Sequence, residues 1–164
     1  MAFIRHKGKT KFMWLKKSDT TREIRDGGLV KINDSGSIAP CQNDSTDHAV
    51  MGVARANDTV TDTAFSDGSA GSRPGFIPVE VPVERFVEWL IDVDSDGGAA
   101  DSDVGRHISV DTTGGNSVLA GDSAGMRVDI SDSAVPQVLV TGRISATRII
   151  GVIALQGDAT SFDT

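Results

Sequence analysis

Short runs of alternating apolar and polar residues, each closed by a cluster of turn-forming residues, set the rhythm of this chain. "LVKI" at 29–32 predicts a strand, "NDSG" a turn and "SIAP" at 37–40 the returning strand, so together they predict a hairpin. "HAVMGVARA" at 48–56 is apolar almost throughout and predicts a buried strand with a glycine inside it. In "FIPVEVPVERFVEWLIDV" at 76–93, Val79, Val81 and Val83 alternate with Pro78, Glu80 and Pro82. Proline cannot donate to a ladder, so this run predicts an edge strand or a bent one, with "VERFVEWLI" continuing it. The second half repeats the rhythm with "HISV", "SVLA", "MRVDIS", "QVLVTGRI" and "TRIIGVIAL". Turns recur about every eight to twelve residues, which predicts an all-β fold, a small antiparallel β-barrel or sandwich. "HAVMGVARAND" and "TRIIGVIALQGD" share a Gly-Val step and a polar turn, and read as two equivalent strands. Residues 57–75, rich in Gly and Ser, predict a long mobile loop.

The first 25 residues break this pattern. Phe3 and Ile4 form one apolar cluster, Phe12, Met13, Trp14 and Leu15 another, and no 3.6-residue period joins them, so an extended arm or an edge strand is expected rather than a helix. Charge divides the chain at the same place. Residues 1–25 hold eight basic residues against two acidic ones, a net of +6, whereas residues 26–164 hold eight basic and twenty-one acidic, a net of −13. The expected organisation is a basic N-terminal arm, 1–25, on a β-barrel or sandwich body, 26–164. Such asymmetry points the arm toward an acidic partner or a polyanion. Phe3, Phe12 and Trp14 could stack on bases, but the acidic body would repel a nearby duplex, so nucleic acid is not the expected partner. Cys41, the single cysteine, excludes an internal disulfide and a thiolate metal centre. No stretch approaches the length of a membrane span, and no membrane contact is expected.

Three patterns carry candidate chemistry. Asp92, Asp94, Asp96 and Gly97 match the first half of an EF-hand loop, which makes Asp92, Asp94 and Asp96 candidate calcium ligands and a calcium-dependent binding module the alternative function. The second half departs from that loop. Position 12 is Asp103 rather than glutamate, and "VGRHISVD" after it is strand-like where a helix is needed, so an acidic exposed turn is the simpler reading. "GDSAG" at 121–125 matches the G-x-S-x-G nucleophile elbow, yet no histidine follows Ser123 to act as base. Cys41 and His48 lie in a polar loop without an orienting frame, phosphate-loop and H-E-x-x-H motifs are missing, and no catalytic residue is expected.

The order of these pieces resembles the head-decoration, or capsid cement, proteins of tailed viruses. The resemblance rests on a short N-terminal arm, then "DGGLVKINDSGSIAPC", "HAVMGVARA", a Gly/Ser loop before "FIPVEVPVE", and "VGRHISVDTTGGNSV", over roughly residues 26–155. It implies a β-tulip-like body, assembly as homotrimers on the outer surface of a virion, and stabilisation of the major capsid protein lattice without catalysis or cofactor. It also implies that the arm contacts the capsid, on this chain through Phe3, Ile4, Arg5, Lys7, Lys9, Lys11, Phe12, Trp14 and Leu15. The unusually basic arm and the Asp-rich stretch at 92–103 depart from that pattern.

Overall fold

The alternating runs fold as strands, and turn residues separate them. The computed structural model describes residues 3–16, 24, 26–32, 36–41, 50–56, 76–93, 97–110, 127–133 and 137–153. Its strands are β1 (Phe3–Lys7), β2 (Thr10–Lys16), β3 (Leu29–Ile32), β4 (Ile38–Pro40), β5 (Gly52–Ala54), β6 (Phe76–Pro82), β7 (Glu88–Asp92), β8 (His107–Val110), β9 (Val128–Asp129), β10 (Val138–Ser145) and β11 (Arg148–Ile153). A single 3-10 turn, Asp101–Asp103, interrupts the β pattern among the described residues. One sheet has the order β1-β7-β11-β10-β8-β9 and the other β2-β6-β5-β3-β4, with antiparallel neighbours throughout. A parallel bridge from Val93 to Val128 brings the end of β7 back beside β9, so the first sheet curls into a half-barrel. The molecule is therefore an all-β barrel and sandwich, as the spacing of apolar runs predicts.

Two apolar clusters hold the sheets. The larger joins the concave side of the first sheet (Phe3, Trp89, Ile91, Ile108, Val138, Ile149) to Leu29 and Val53 of the second. The smaller gathers Val30, Ala54, Ile77, Val79 and Val81 on the other face of the second sheet, with Ile24, Ile38 and Ala56. Consecutive residues Leu29/Val30 and Val53/Ala54 thus point to opposite clusters, which is why these strands read as continuous apolar runs instead of alternating ones. Gly52 sits where the strands are tightest, since a Cβ there would lie 2.5 Å from the carbonyl oxygen of Glu80.

The N-terminal segment takes the second of its two expected forms, edge strand in place of extended arm. Residues 3–16 are not a separate arm: β1 pairs with β7 and β2 pairs with β6, each as the outermost strand of its sheet. The boundary expected at residue 25 does not divide them from the body. The physical reason lies in the two apolar clusters of the segment, which find separate destinations. Phe3 is fully buried in the larger core, while Met13 and Leu15 pack on the smaller one. Residues 17–23 and 25 lie outside the described residues.

β1–β2 and β6–β7 form one bent antiparallel ribbon that passes from one sheet to the other. Its double corner lies at Gly8–Lys9 and at residues 83–87. There Val83 N donates to Lys9 O at 3.1 Å, and Lys9 N donates to Glu84 Oε1 at 2.7 Å. Gly8 has φ +102, and a Cβ would lie 3.0 Å from Val87 Cα, so the corner favours glycine. The bend of the run therefore falls after "FIPVEVP", at residues 83–87, and β6 itself is interior rather than an edge, lying between β2 and β5. The Lys9–Val83 pair sets the ladder so that Val81, Val79 and Ile77 exchange bonds with β2. Pro78 and Pro82 then turn their missing donors toward the side of the three-residue β5, where little ladder is forfeited.

Because Phe3 fills the core, Phe3→Ala should lower stability by about 3–5 kcal/mol in urea denaturation. Removing residues 1–17 should abolish the cooperative transition. A truncated chain that unfolds at the wild-type midpoint would show that the ribbon is dispensable.

Candidate functional site: the N-terminal edge and its charged floor

Alternation along β2 sorts its side chains. Thr10, Phe12 and Trp14 share the face of Glu80, their neighbour across the ladder, and Met13 and Leu15 face the smaller core. Phe12 is 61% exposed and Trp14 37%, with Lys16 exposed on their face of the strand and Lys11 exposed on the other. On β1, Ile4, Arg5, His6 and Lys7 are exposed, and Lys9 is exposed at the corner. Of the candidate contact residues, Ile4, Arg5, Lys7, Lys9, Lys11, Phe12 and Trp14 are therefore gathered at one accessible edge. Phe3 and Leu15 are not part of it, because both spend their apolar surface inside the molecule.

Beneath this edge lies a charge network that the sequence reading missed. Glu80 is only 4% exposed although it sits between two core valines. Arg55 Nε donates to Glu80 Oε2 at 2.7 Å, its Nη2 lies 2.7 Å from the same oxygen, and its Nη1 donates to the Phe3 carbonyl at 2.9 Å. Thr10 Oγ1 donates to Glu80 Oε1 at 2.7 Å, and Arg5 Nε lies 3.4 Å from that oxygen. Asp26 Oδ1 stands 3.7 Å from Arg55 Nη1, and the guanidinium lies 5.7 Å from the centroid of the Trp89 ring. Desolvating a charged pair is costly, and it holds here because nearly every polar atom of the pair is engaged. Over the network lies an open depression of about 310 Å³, lined by Ile4, Arg5, Phe12, Asp26, Arg55 and Glu80. The usable signal was Glu80 itself, an acid at a position where the alternation of β6 otherwise places proline or phenylalanine.

The candidate calcium ligands are placed differently from an EF-hand. Asp92 ends β7, and its Oδ1 accepts from Arg148 Nε at 3.0 Å and Nη2 at 2.8 Å. Asp94 and Asp96 lie outside the described residues. Strands β7 and β8 flank the stretch and a 3-10 turn closes it, so the helix pair of an EF-hand does not form around residues 92–103. Among the described residues no group of three or more His, Cys, Asp or Glu is placed to hold a metal ion. Asp103, the twelfth position, instead braces the 3-10 turn: its Oδ2 accepts from Ala100 N and its Oδ1 from Arg106 Nη1, each at 2.7 Å. The Ala100 amide first, and Arg106 second, hold its carboxyl below the ordinary aspartate range. Cys41 is buried in the larger core, while His48 and Ser123 lie outside the described residues. Gln137 is fully buried and accepts the Val110 amide at 2.8 Å, a structural role that its sequence position did not announce.

Arg55→Met leaves Glu80 buried without its main partner and should cost about 3–5 kcal/mol, whereas adding Glu80→Leu should recover part of that loss. Additive losses in the double variant would show that the two groups are not coupled. At Asp103 the stabilisation is present above the ordinary aspartate value of 3.8 and is lost as pH falls below it, through the depressed folded value. Asp103→Asn should therefore lower the melting temperature at neutral pH, with the gap from wild type closing in acid. A gap independent of pH would show that the carboxylate charge is not what braces the turn. Comparison of the chain with protein-family models, with curated proteins and with solved structures finds no match.

Proposed function

We propose that the chain is a structural virion protein that binds the outside of an icosahedral capsid of a tailed virus, as a homotrimer, and stabilises the major capsid protein lattice without catalysis. The observation that carries this reading is the pairing of exposed aromatics with lysines on an ordered edge: Phe12 and Trp14 stand out from one face of β2 together with Lys16, and Lys11 is exposed on the other face of the same strand. An aromatic residue in a desolvated pocket supplies most of the energy of a protein interface, and cations around it steer an acidic partner into register. The resemblance of the chain's order of pieces to capsid cement proteins supplies the partner class. Attachment runs through the face of the bent ribbon and not through a free arm, so the docking surface is preformed.

Cosedimentation with purified shells of the cognate major capsid protein tests the proposal. Wild type should bind saturably, Phe12→Ala or Trp14→Ala should weaken binding about tenfold or more, and Lys11→Ala by less than about threefold. Absence of wild-type binding would refute the assignment, and the reverse ranking would leave an electrostatic clamp in its place.

A further inference from the structure

The depression over the buried ion pair has a lining whose charges cancel. Ile4, Arg5, Phe12, Asp26, Arg55 and Glu80 surround it, so two guanidiniums stand against two carboxylates. Arg5 lies 3.4 Å and Arg55 2.7 Å from Glu80, and Asp26 lies 3.7 Å from Arg55. Each charged group already holds another, so the floor is set in place before any ligand arrives. The side chains of Arg5 and Asp26 are nonetheless partly exposed, at 48% and 33%, and can bond outward as well. Above them the Phe12 ring, which stands across the ladder from Glu80, supplies a flat apolar wall beside Ile4. At about 310 Å³ the space falls at the lower end of small-molecule sites, about 300–1,000 Å³.

The balance of charge selects the ligand. An anion would meet Asp26 and Glu80, a cation would meet Arg5 and Arg55, and either would have to prise an engaged pair apart. A wholly apolar ligand would desolvate these ionised groups and return no hydrogen bonds. A neutral ligand with donors and acceptors on its edges and an apolar face for Phe12 meets neither difficulty. Hydroxyl groups both donate and accept, so one polyhydroxylated ring answers a carboxylate and a guanidinium side by side. We infer that the depression binds a short neutral saccharide, whose hydroxyls donate to Asp26 and accept from Arg5 while the C–H face of one ring stacks on Phe12. Trp14 stands about 7 Å further along the same face of β2, where it can carry the next ring. This inference goes beyond the capsid reading and shares Phe12 with it, so saccharide and shell compete for that ring.

Calorimetric titration of the full chain with cellobiose, maltose and N,N′-diacetylchitobiose tests it, with glucuronate and adenosine as comparators. Wild type should bind at least one of the disaccharides saturably, with one site per chain. Phe12→Ala should weaken that binding about tenfold and leave the melting temperature unchanged, because the ring is 61% exposed. Asp26→Asn gives the lining a net positive charge and should bind glucuronate, which wild type should not. Failure of all three disaccharides to bind overturns the inference, as does binding that Phe12→Ala leaves unchanged. Glucuronate binding by wild type overturns the argument from charge balance, and binding of adenosine in place of the disaccharides assigns the depression to a nucleoside. All of these outcomes are read without shells, so they leave the capsid reading to its own test.

Discussion

The bent ribbon is the constraint on which the rest of this fold depends. One strand pair, β1–β2 against β6–β7, serves both sheets, so its corner fixes how the sheets sit on one another. A chain that turns between sheets in mid-strand must break its ladder, and the cost is limited here by Gly8, by the Lys9–Val83 bond and by the Glu84 carboxylate that caps the Lys9 amide. On the concave side, Arg55 fastens the first strand from within by binding the Phe3 carbonyl and Glu80 together. The N-terminal strands are thereby held by hydrogen bonds, by a buried ion pair and by Phe3 in the core.

This arrangement explains an otherwise odd composition. A sheet edge that is long, apolar and flat invites pairing with other chains, and β2 has the length and the aromatic content to do so. Lys11 and Lys16 on the strand, with Lys7 and Lys9 before it, set charge along that edge. In the capsid reading proposed above, the same lysines that discourage association of like chains favour an acidic partner. The basic segment is thus an edge guarded against pairing, and in the proposed docking it would offset the net charge of −13 on residues 26–164.

Much of the architecture was legible because period-two alternation and turn chemistry are local signals. "LVKI" and "SIAP" pair as the predicted hairpin, and "HISV", "QVLVTGRI" and "TRIIGVIAL" become β8, β10 and β11. What failed was placement. Two proline positions suggested an edge for β6, whereas their direction in the ladder, visible only once the register with Lys9 and Val83 is known, allows an interior site. Arm and edge strand could not be told apart for a similar reason: Phe3 and Leu15 belong to two different cores, and no linear period can show that. Likewise Arg55 and Glu80 lie 25 residues apart, and nothing local marks them as partners. At Asp92 the run of aspartates suggested a shared ion, while tertiary pairing with Arg148 gives that carboxylate a different task.

The state of the docking surface before contact also bears on its energetics. A disordered arm that folds onto a partner must give up backbone freedom at the moment of binding, about 1–2 kcal/mol per residue ordered. Residues 3–16 are already ordered against β6 and β7, so this loss has been met during folding and offset by Phe3, Met13 and Leu15 in the two cores. In the proposed docking, what remains to a partner is the burial of Phe12 and Trp14 and the alignment of a few long cationic side chains. Preorganisation of this kind lets a small contact area be useful, because less of the gross interaction is consumed in ordering. On the lattice of the proposed capsid partner, where the same contact would recur many times, small preformed contacts add without demanding that each one be strong.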